Sequence, residues 1–227
     1  MNLKLVVRYA IRETLGIVVM AVALFWSAGT IRWWPAWATL AVMTGWILAT
    51  AIVIVTSNPQ LLAERLGPRK GAKRWDTAIM SFVGLLQLAR YIVAGLDHRN
   101  GWTGNFPLAA QIVALAVCVA GYSLFVWATA SNKFFSQIVR IQTERSHTVA
   151  TGGPYRFLRH PGYAGAILFE LAVGVLLASW WVAAISALTA FLLGLRTALE
   201  DRTLMDELGG YVEYSRQVRY RLVPLLW

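Results

Sequence analysis

The stretch Gly152-Gly153-Pro154-Tyr155-Arg156-Phe157-Leu158-Arg159-His160-Pro161-Gly162-Tyr163-Ala164-Gly165 is the densest cluster of Gly, Pro, Arg and Tyr in the chain. Gly152-Gly153-Pro154 marks a turn. Pro161 suits the first turn of a helix, where its missing N–H would have been unpaired anyway. An apolar run from Gly162 to Ala178 follows, with Glu170 its only charge. Backbone N–H groups at that helix start, beside Arg156, Arg159 and His160, would suit an anionic or carboxylate-bearing ligand. A second set, Arg196, Glu200 and Asp201, ends the next apolar run. An antiparallel hairpin of the two runs brings it to His147, Tyr155, Arg159, His160 and Tyr163. Arg196 and Glu200 are four apart and share a helix face.

Each of these residues also has a plainer use. Arg196 and Glu200 could form an i,i+4 ion pair that snorkels to the surface. Arg159 could anchor a phosphate headgroup. His147 and His160 could serve only as hydrogen-bonding groups, and their spacing of 13 is no zinc signature, so no metal is expected. Tyr211 and Tyr214 read as interfacial packing, and Cys118, inside an apolar run, as core. Arg90 and Glu170 fall within apolar runs, where a charge near the bilayer centre costs at least about 2.5 kcal/mol. They either pair with each other or face a polar cavity.

The elements that position these residues are membrane helices. The chain has 227 residues, 58% of them hydrophobic and 14% charged, with 11 Trp. A soluble domain holds about 45–50% apolar and about 25% charged residues. The net charge of +10 would suggest nucleic acid in a soluble protein, but these charges lie between apolar runs, so no nucleic-acid partner is expected. Spans are expected at about 13–30, 36–56, 77–96, 107–130, 162–178 and 182–199. The first is too long for the apolar part of a signal peptide and is followed by further spans. Leu61, Leu62 and Leu66 suggest a short amphipathic turn on the membrane surface. Leu204, Leu208, Tyr211 and Val218 suggest an amphipathic helix from Glu200 to near Pro224, with a kink at Gly209-Gly210.

The fold class is therefore all-α integral membrane, with about six transmembrane helices and a C-terminal amphipathic helix. Residues 1–130 form a four-helix membrane region and 131–227 a functional core. Of the Lys and Arg, three precede the first span, five lie in 60–76, five in 131–161 and five from Arg196 onward. Only Arg32 and Arg99 fall on the other side, and Arg90 lies within a span. That asymmetry puts both termini in the cytoplasm.

Gly153-Pro154-Tyr155-Arg156, Arg159-His160-Pro161-Gly162-Tyr163 and Gly165, with Arg196, Glu200, Asp201, Leu204, Tyr211, Tyr214, Val218 and Pro224, resemble the isoprenylcysteine carboxyl methyltransferase family. The resemblance covers about 131–227. The wider group includes phospholipid methyltransferases. Asn58-Pro59, Glu64-Arg65 and Trp75-Asp76 resemble its bacterial branch, which implies a bacterial inner membrane. The resemblance implies S-adenosylmethionine as donor, bound by His147, Thr148, Val149, Gly153, Tyr155, Arg159, His160, Tyr163 and Glu200. It implies Arg196 and Glu200 as the catalytic pair, with Arg196 orienting the acceptor. Methyl transfer is an in-line displacement, so the protein's task is to position the partners and exclude water. A carboxylate acceptor is already ionised at pH 7, whereas an amine needs a base. A lipid or lipidated acceptor would enter sideways from the bilayer and the donor from the cytosol. The alternatives are a phospholipid N-methyltransferase, an NADPH-dependent sterol-type reductase, which shares an Arg-x-Pro-x-Tyr loop, and a membrane scaffold.

Overall fold

A computed structural model describes residues 3–66, 71–224 and 227, so Arg69 and Lys70 of the basic segment lie outside the described residues. All regular elements in it are helical: α1 (Leu3–Ala28), α2 (Trp34–Ser57), α3 (Gln60–Leu66), α4 (Arg74–Asn100), α5 (Leu108–Ser131), α6 (Pro161–Leu176), α7 (Trp180–Glu207) and α8 (Tyr211–Gln217), with 3-10 turns at Thr143–Arg145 and Gly153–Arg156. Five of these helices, α1, α2, α4, α5 and α7, are long and apolar enough to cross a membrane. The fifth expected span, α6, has 16 residues, about 24 Å at 1.5 Å per residue, short of the ~30 Å hydrocarbon core. On α1 the residues Leu3, Val7, Ile11, Leu15, Val18, Val22 and Trp26 are exposed at helical spacing. An exposed apolar stripe of this length belongs in lipid. The protein is an all-helical integral membrane protein.

The helices run past the expected spans. α1 begins ten residues before the expected start, α4 takes in Arg74 and the Asp97–Asn100 turn, and α7 continues unbroken to Glu207. Hydropathy marks the depth of hydrocarbon, while helix-forming Leu, Glu, Arg and Met carry the backbone ladder on into the interface. The expected amphipathic helix from Glu200 to Pro224 is thus two pieces, the last turns of α7 and the separate α8. Gly210, at φ 81°, takes the left-handed conformation that breaks them. Helix α3 forms where the Leu spacing predicts, but Leu61 and Leu62 are buried with Tyr9 and Ile54, so its apolar face meets the protein rather than the bilayer.

Helix α6 packs between α5 and α7, α1 lies against α4, and α2 lies against α5. The main core runs through Leu24, Tyr91, Cys118, Phe169, Val173 and Val182. One close approach is between α5 and α6. A Cβ added at Gly165 would lie 2.3 Å from the Gly121 carbonyl oxygen, and one at Gly121 would lie 2.6 Å from that of Gly165. Small residues at such crossings let membrane helices gain packing that lipid cannot supply. Gly165→Val should therefore lower thermal stability in detergent by at least about 1–3 kcal/mol. Gly84→Ala, where a Cβ meets nothing within 4 Å, should leave it unchanged or slightly higher. Equal melting of the two variants would remove the crossing from the account.

Candidate active site

The connector from Asn132 to His160 has only the two short 3-10 turns, yet it is tied to both halves of the chain. Asn58 Nδ2 donates to the Lys133 carbonyl at 2.7 Å. Arg140 pairs with Glu64 at 2.7 Å and with Glu144 at 2.6 Å. The Val139 amide donates to Asp76 Oδ2 at 2.8 Å, and Arg196 reaches the Gln137 carbonyl at 3.0 Å. At its far end the connector meets the C-terminal tail. The amides of Arg159 and His160 donate to the carbonyls of Tyr220 and Arg221 at 2.9 and 3.0 Å. Those two amides are therefore used within the protein, while the Arg159 side chain pairs with Asp201 and keeps its Nε without a hydrogen-bond partner.

Asp201, fully buried, is the centre of this joint. It accepts from Tyr211 at 2.8 Å and from Arg221 at 2.8 Å, and it lies 3.0 Å from His160 Nε2 and 3.2 Å from Arg159 Nη1. Tyr214 donates to the Tyr155 carbonyl at 2.7 Å. Tyr211 and Tyr214 are buried, not interfacial as expected, because their hydroxyls close the joint between α8, α7 and the connector.

Inside this frame lies a cavity of about 460 Å³. Its end at the connector is walled by His147, Thr148, Val149, Tyr155, Arg159, His160, Tyr163, Glu200, Tyr211 and Tyr214. It continues past Arg196 and Asp76 to Tyr9 and Arg65 on one side, and to Trp46, Gln87, Tyr122 and Glu170 among the spans. The structure thus brings together every expected site residue except Gly153, which is not on the wall. Gly153 has φ 57°, and a Cβ there would lie 2.2 Å from Ser131 Oγ, so it shapes the turn beneath Tyr155.

Arg196 does not pair with Glu200. Its Nε donates to Asp76 at 2.6 Å, and Glu200 instead accepts from the Tyr163 hydroxyl at 2.5 Å. This corrects the i,i+4 pair read from spacing. The Arg196 guanidinium lies over the Tyr163 ring, 5.2 Å from its centroid. Glu170 pairs with Arg90, which is 1% exposed and also contacts Gln87, Tyr91 and Ser186. Both expectations for these two residues hold, since they pair and Glu170 also lines the cavity. Asp76, Arg65 and Tyr9 were missed as site residues. Asp76 carried a signal, being an acid soon after Lys73 and Arg74 at the start of α4.

His147 is half-buried and accepts from the Gln142 amide through Nδ1 at 3.3 Å. Burial, with Arg145 and Arg140 nearby, pulls its pKa from 6.5 down to about 4. The folded chain then binds fewer protons there than the unfolded chain, so this contribution to stability is lost as pH falls from 6.5 towards 4. His147→Gln should flatten the acid limb of a melting-temperature profile across that window. An unchanged limb would mean that the imidazole is freely solvated.

Residues 112–206 match the model of the isoprenylcysteine carboxyl methyltransferase (ICMT) family. A probable protein-S-isoprenylcysteine O-methyltransferase of Oryza sativa subsp. indica is 26% identical over 145 residues, covering 58% of this chain and 70% of the relative. Protein-S-isoprenylcysteine O-methyltransferase B of Arabidopsis thaliana is 27% identical over 150 residues, covering 62% and 70%. A solved structure of the eukaryotic intramembrane Ras methyltransferase ICMT shares the fold, with a TM-score of 0.55 at 17% identity over 92% of this chain and 73% of that one. Fold, cavity and relatives together define a polytopic membrane methyltransferase. The likeness to the isoprenylcysteine carboxyl methyltransferases is carried by residues 112–206.

Proposed function

We propose that the protein transfers a methyl group from S-adenosylmethionine to a carboxylate on a lipidic acceptor such as an S-prenylated cysteine, at the cytosolic end of α6 and α7. The observation that carries this is the continuity of the cavity. It runs from polar walls at the connector to Trp46, Gln87 and Tyr122 within the spans, so a water-soluble donor and a membrane-held acceptor can meet without leaving their own phases.

When bound, the donor supplies a methyl group on a sulfonium sulfur, already activated for displacement. His147, Thr148, Val149, Tyr155, Arg159, His160, Tyr163 and Glu200 would hold it, with Gly153 shaping the turn under Tyr155. The fit is supported by Glu200, a carboxylate that forms no ion pair with any cation among the described residues and therefore suits the donor's ammonium. Arg196 reaches the acceptor with the part of its guanidinium not used by Asp76 and Gln137. The buried aromatic walls exclude water and hold the partners in line, which is most of what the reaction needs.

An amine acceptor fits less well because it would need a base. His160 is engaged by Asp201, and His147, with its pKa near 4, is a poor proton acceptor at pH 7. The reductase alternative gives way to the family match. Both termini are cytoplasmic in this proposal, on the Lys and Arg asymmetry. Residues 131–227 carry the donor site and residues 1–130 much of the acceptor side. Asn58, Glu64 and Asp76, from the segments that resemble the bacterial branch, all tie down the connector, and placement in a bacterial inner membrane rests on that resemblance alone. The test is transfer of labelled methyl from S-adenosylmethionine to S-farnesyl-N-acetylcysteine by the purified protein. A base-labile methyl ester is expected, and failure to label this or any extracted lipid would sink the proposal.

A further inference from the structure

Pairing off the charges on the cavity wall leaves one of each sign. Glu13 is taken by Arg12, Asp76 by Arg196, Glu170 by Arg90, Arg140 by Glu64 and Glu144, and Arg159 by Asp201. Glu200 and Arg65 remain, and neither forms an ion pair among the described residues. Arg65 is 8% exposed, faces the cavity beside Tyr9, and its Nε has no hydrogen-bond partner. Arg12 does not satisfy the guanidinium, because Arg12 Nη1 binds the Arg65 backbone carbonyl at 2.7 Å and the rest of its head is given to Glu13. Tyr9 gives the Arg65 guanidinium a hydrogen bond, and Glu13, near it, is shared with Arg12. A buried guanidinium with an unmet Nε and no ion-pair partner of its own among the described residues is costly unless something supplies the charge.

Resting on the methyl-transfer reading above, we infer that Arg65 is the cationic grip for the acceptor's oxyanion. Arg196 cannot fill this role alone, since Asp76 already offsets its charge. The two unpaired groups divide the task. Glu200, at the cytosolic end beside Tyr163, answers a cationic donor. Arg65, on α3 where α1 and α2 enclose the cavity, answers an anionic acceptor arriving along the spans. The apolar approach to Arg65 is in place, with Tyr9, Ile54, Leu61, Leu62 and Phe135 packed into one cluster around it. Phe135 also fills the space above Gly162, 2.7 Å from where a Cβ would stand. It thus lies between the Arg65 side of the cavity and the start of α6. Arg65 accordingly touches the acceptor directly and needs no contact with the transferred methyl group. The shared chemistry is an oxyanion on an apolar body, which a prenylcysteine carboxylate or a lipid phosphate could both provide.

The test uses the full chain in detergent, as wild type, Arg65→Gln and Arg65→Lys. Donor affinity is measured by calorimetry. Acceptor recognition is measured as binding of S-farnesyl-N-acetylcysteine against its uncharged carboxamide, with dodecyl phosphate against dodecanol as the phosphate arm. In wild type the charged member of at least one pair should bind about tenfold or more tightly, as charge-assisted hydrogen bonds to a guanidinium do. Whichever pair shows that preference identifies the oxyanion. Arg65→Gln should erase the preference and raise the acceptor KM by a similar factor, with donor affinity unchanged. Arg65→Lys should restore part of it. If Arg65→Gln does not fold, partial loss of the preference in Arg65→Lys with full donor binding supports the same conclusion. An intact preference in either variant overturns it, and so does a fall in donor affinity, which would assign Arg65 to the donor's carboxylate. Because the preference is read by binding, it stands or falls separately from turnover. If wild type shows the preference but transfers no methyl group, the proposed reaction fails and the grip stands.

Discussion

Glu170→Leu should destabilise the protein by about 3–5 kcal/mol, because it leaves the Arg90 guanidinium buried without its counter-charge. Arg90 is 1% exposed and Glu170 3%, so neither can turn to water. Gln87, Tyr91 and Ser186 would still contact Arg90 but carry no charge to offset it. The double variant Arg90→Met/Glu170→Leu should recover most of the loss, since well-packed apolar residues often replace a buried ion pair at little cost. Unfolding of the two in detergent, with wild type alongside, measures both. If the single variant melts with wild type, solvent entering through the cavity already screens Arg90. If the double variant is as unstable as the single, the loss is one of packing rather than charge.

Glu200→Gln should weaken donor binding by about 10–100-fold, the loss of one charge-assisted contact of roughly 1.5–3 kcal/mol. Arg196→Lys should leave donor binding nearly intact and lower single-turnover methyl transfer on the order of 10²-fold. Arg196 lies one helical turn deeper than Glu200, and its guanidinium serves Asp76 and the Gln137 carbonyl at once. A lysine ammonium cannot reproduce that planar arrangement. The connector should loosen and the acceptor lose its alignment. Asp76→Asn should act in the same direction, because it removes the charge that holds Arg196 in place. Calorimetry and rapid quench on the three variants separate the roles. Normal turnover in Arg196→Lys would reduce that residue to an interfacial anchor. Loss of donor binding in Arg196→Lys with none in Glu200→Gln would reverse the assignment.

The spans and the hairpin that holds the site were legible because apolar runs of this length have few other uses, and the basic loop before Pro161 could only lead into a helix. The helix ends were not legible, since hydropathy reports where hydrocarbon lies and not where a backbone ladder stops. Tyr163, Glu200 and Arg196 were readable as neighbours from the antiparallel pairing alone. The partner of Arg196 was not. Spacing offered Glu200 four residues away, while the true partner, Asp76, is 120 positions earlier, in the first turn of α4, which packs against α7. Arg65 belonged to the Glu64-Arg65 pair that resembles the family, but the local Leu spacing spoke for a surface turn and nothing local placed it on the cavity. Gly153 also meets a backbone requirement, which is visible only once Ser131 is in view.

The order of synthesis gives the Arg90 cluster a second meaning. Arg90 is made 80 residues before Glu170, so α4 must enter the bilayer before its counter-charge exists. An arginine at mid-helix costs about 2.5–3.5 kcal/mol at insertion. Two of its eventual contacts, Gln87 and Tyr91, lie on α4 itself. They travel with the charge and can shield it from the moment the helix leaves the translocation machinery. When α6 arrives, Gln87 keeps hold of Arg90 and also donates to Glu170 at 2.8 Å, passing the guanidinium from a temporary escort to its permanent partner.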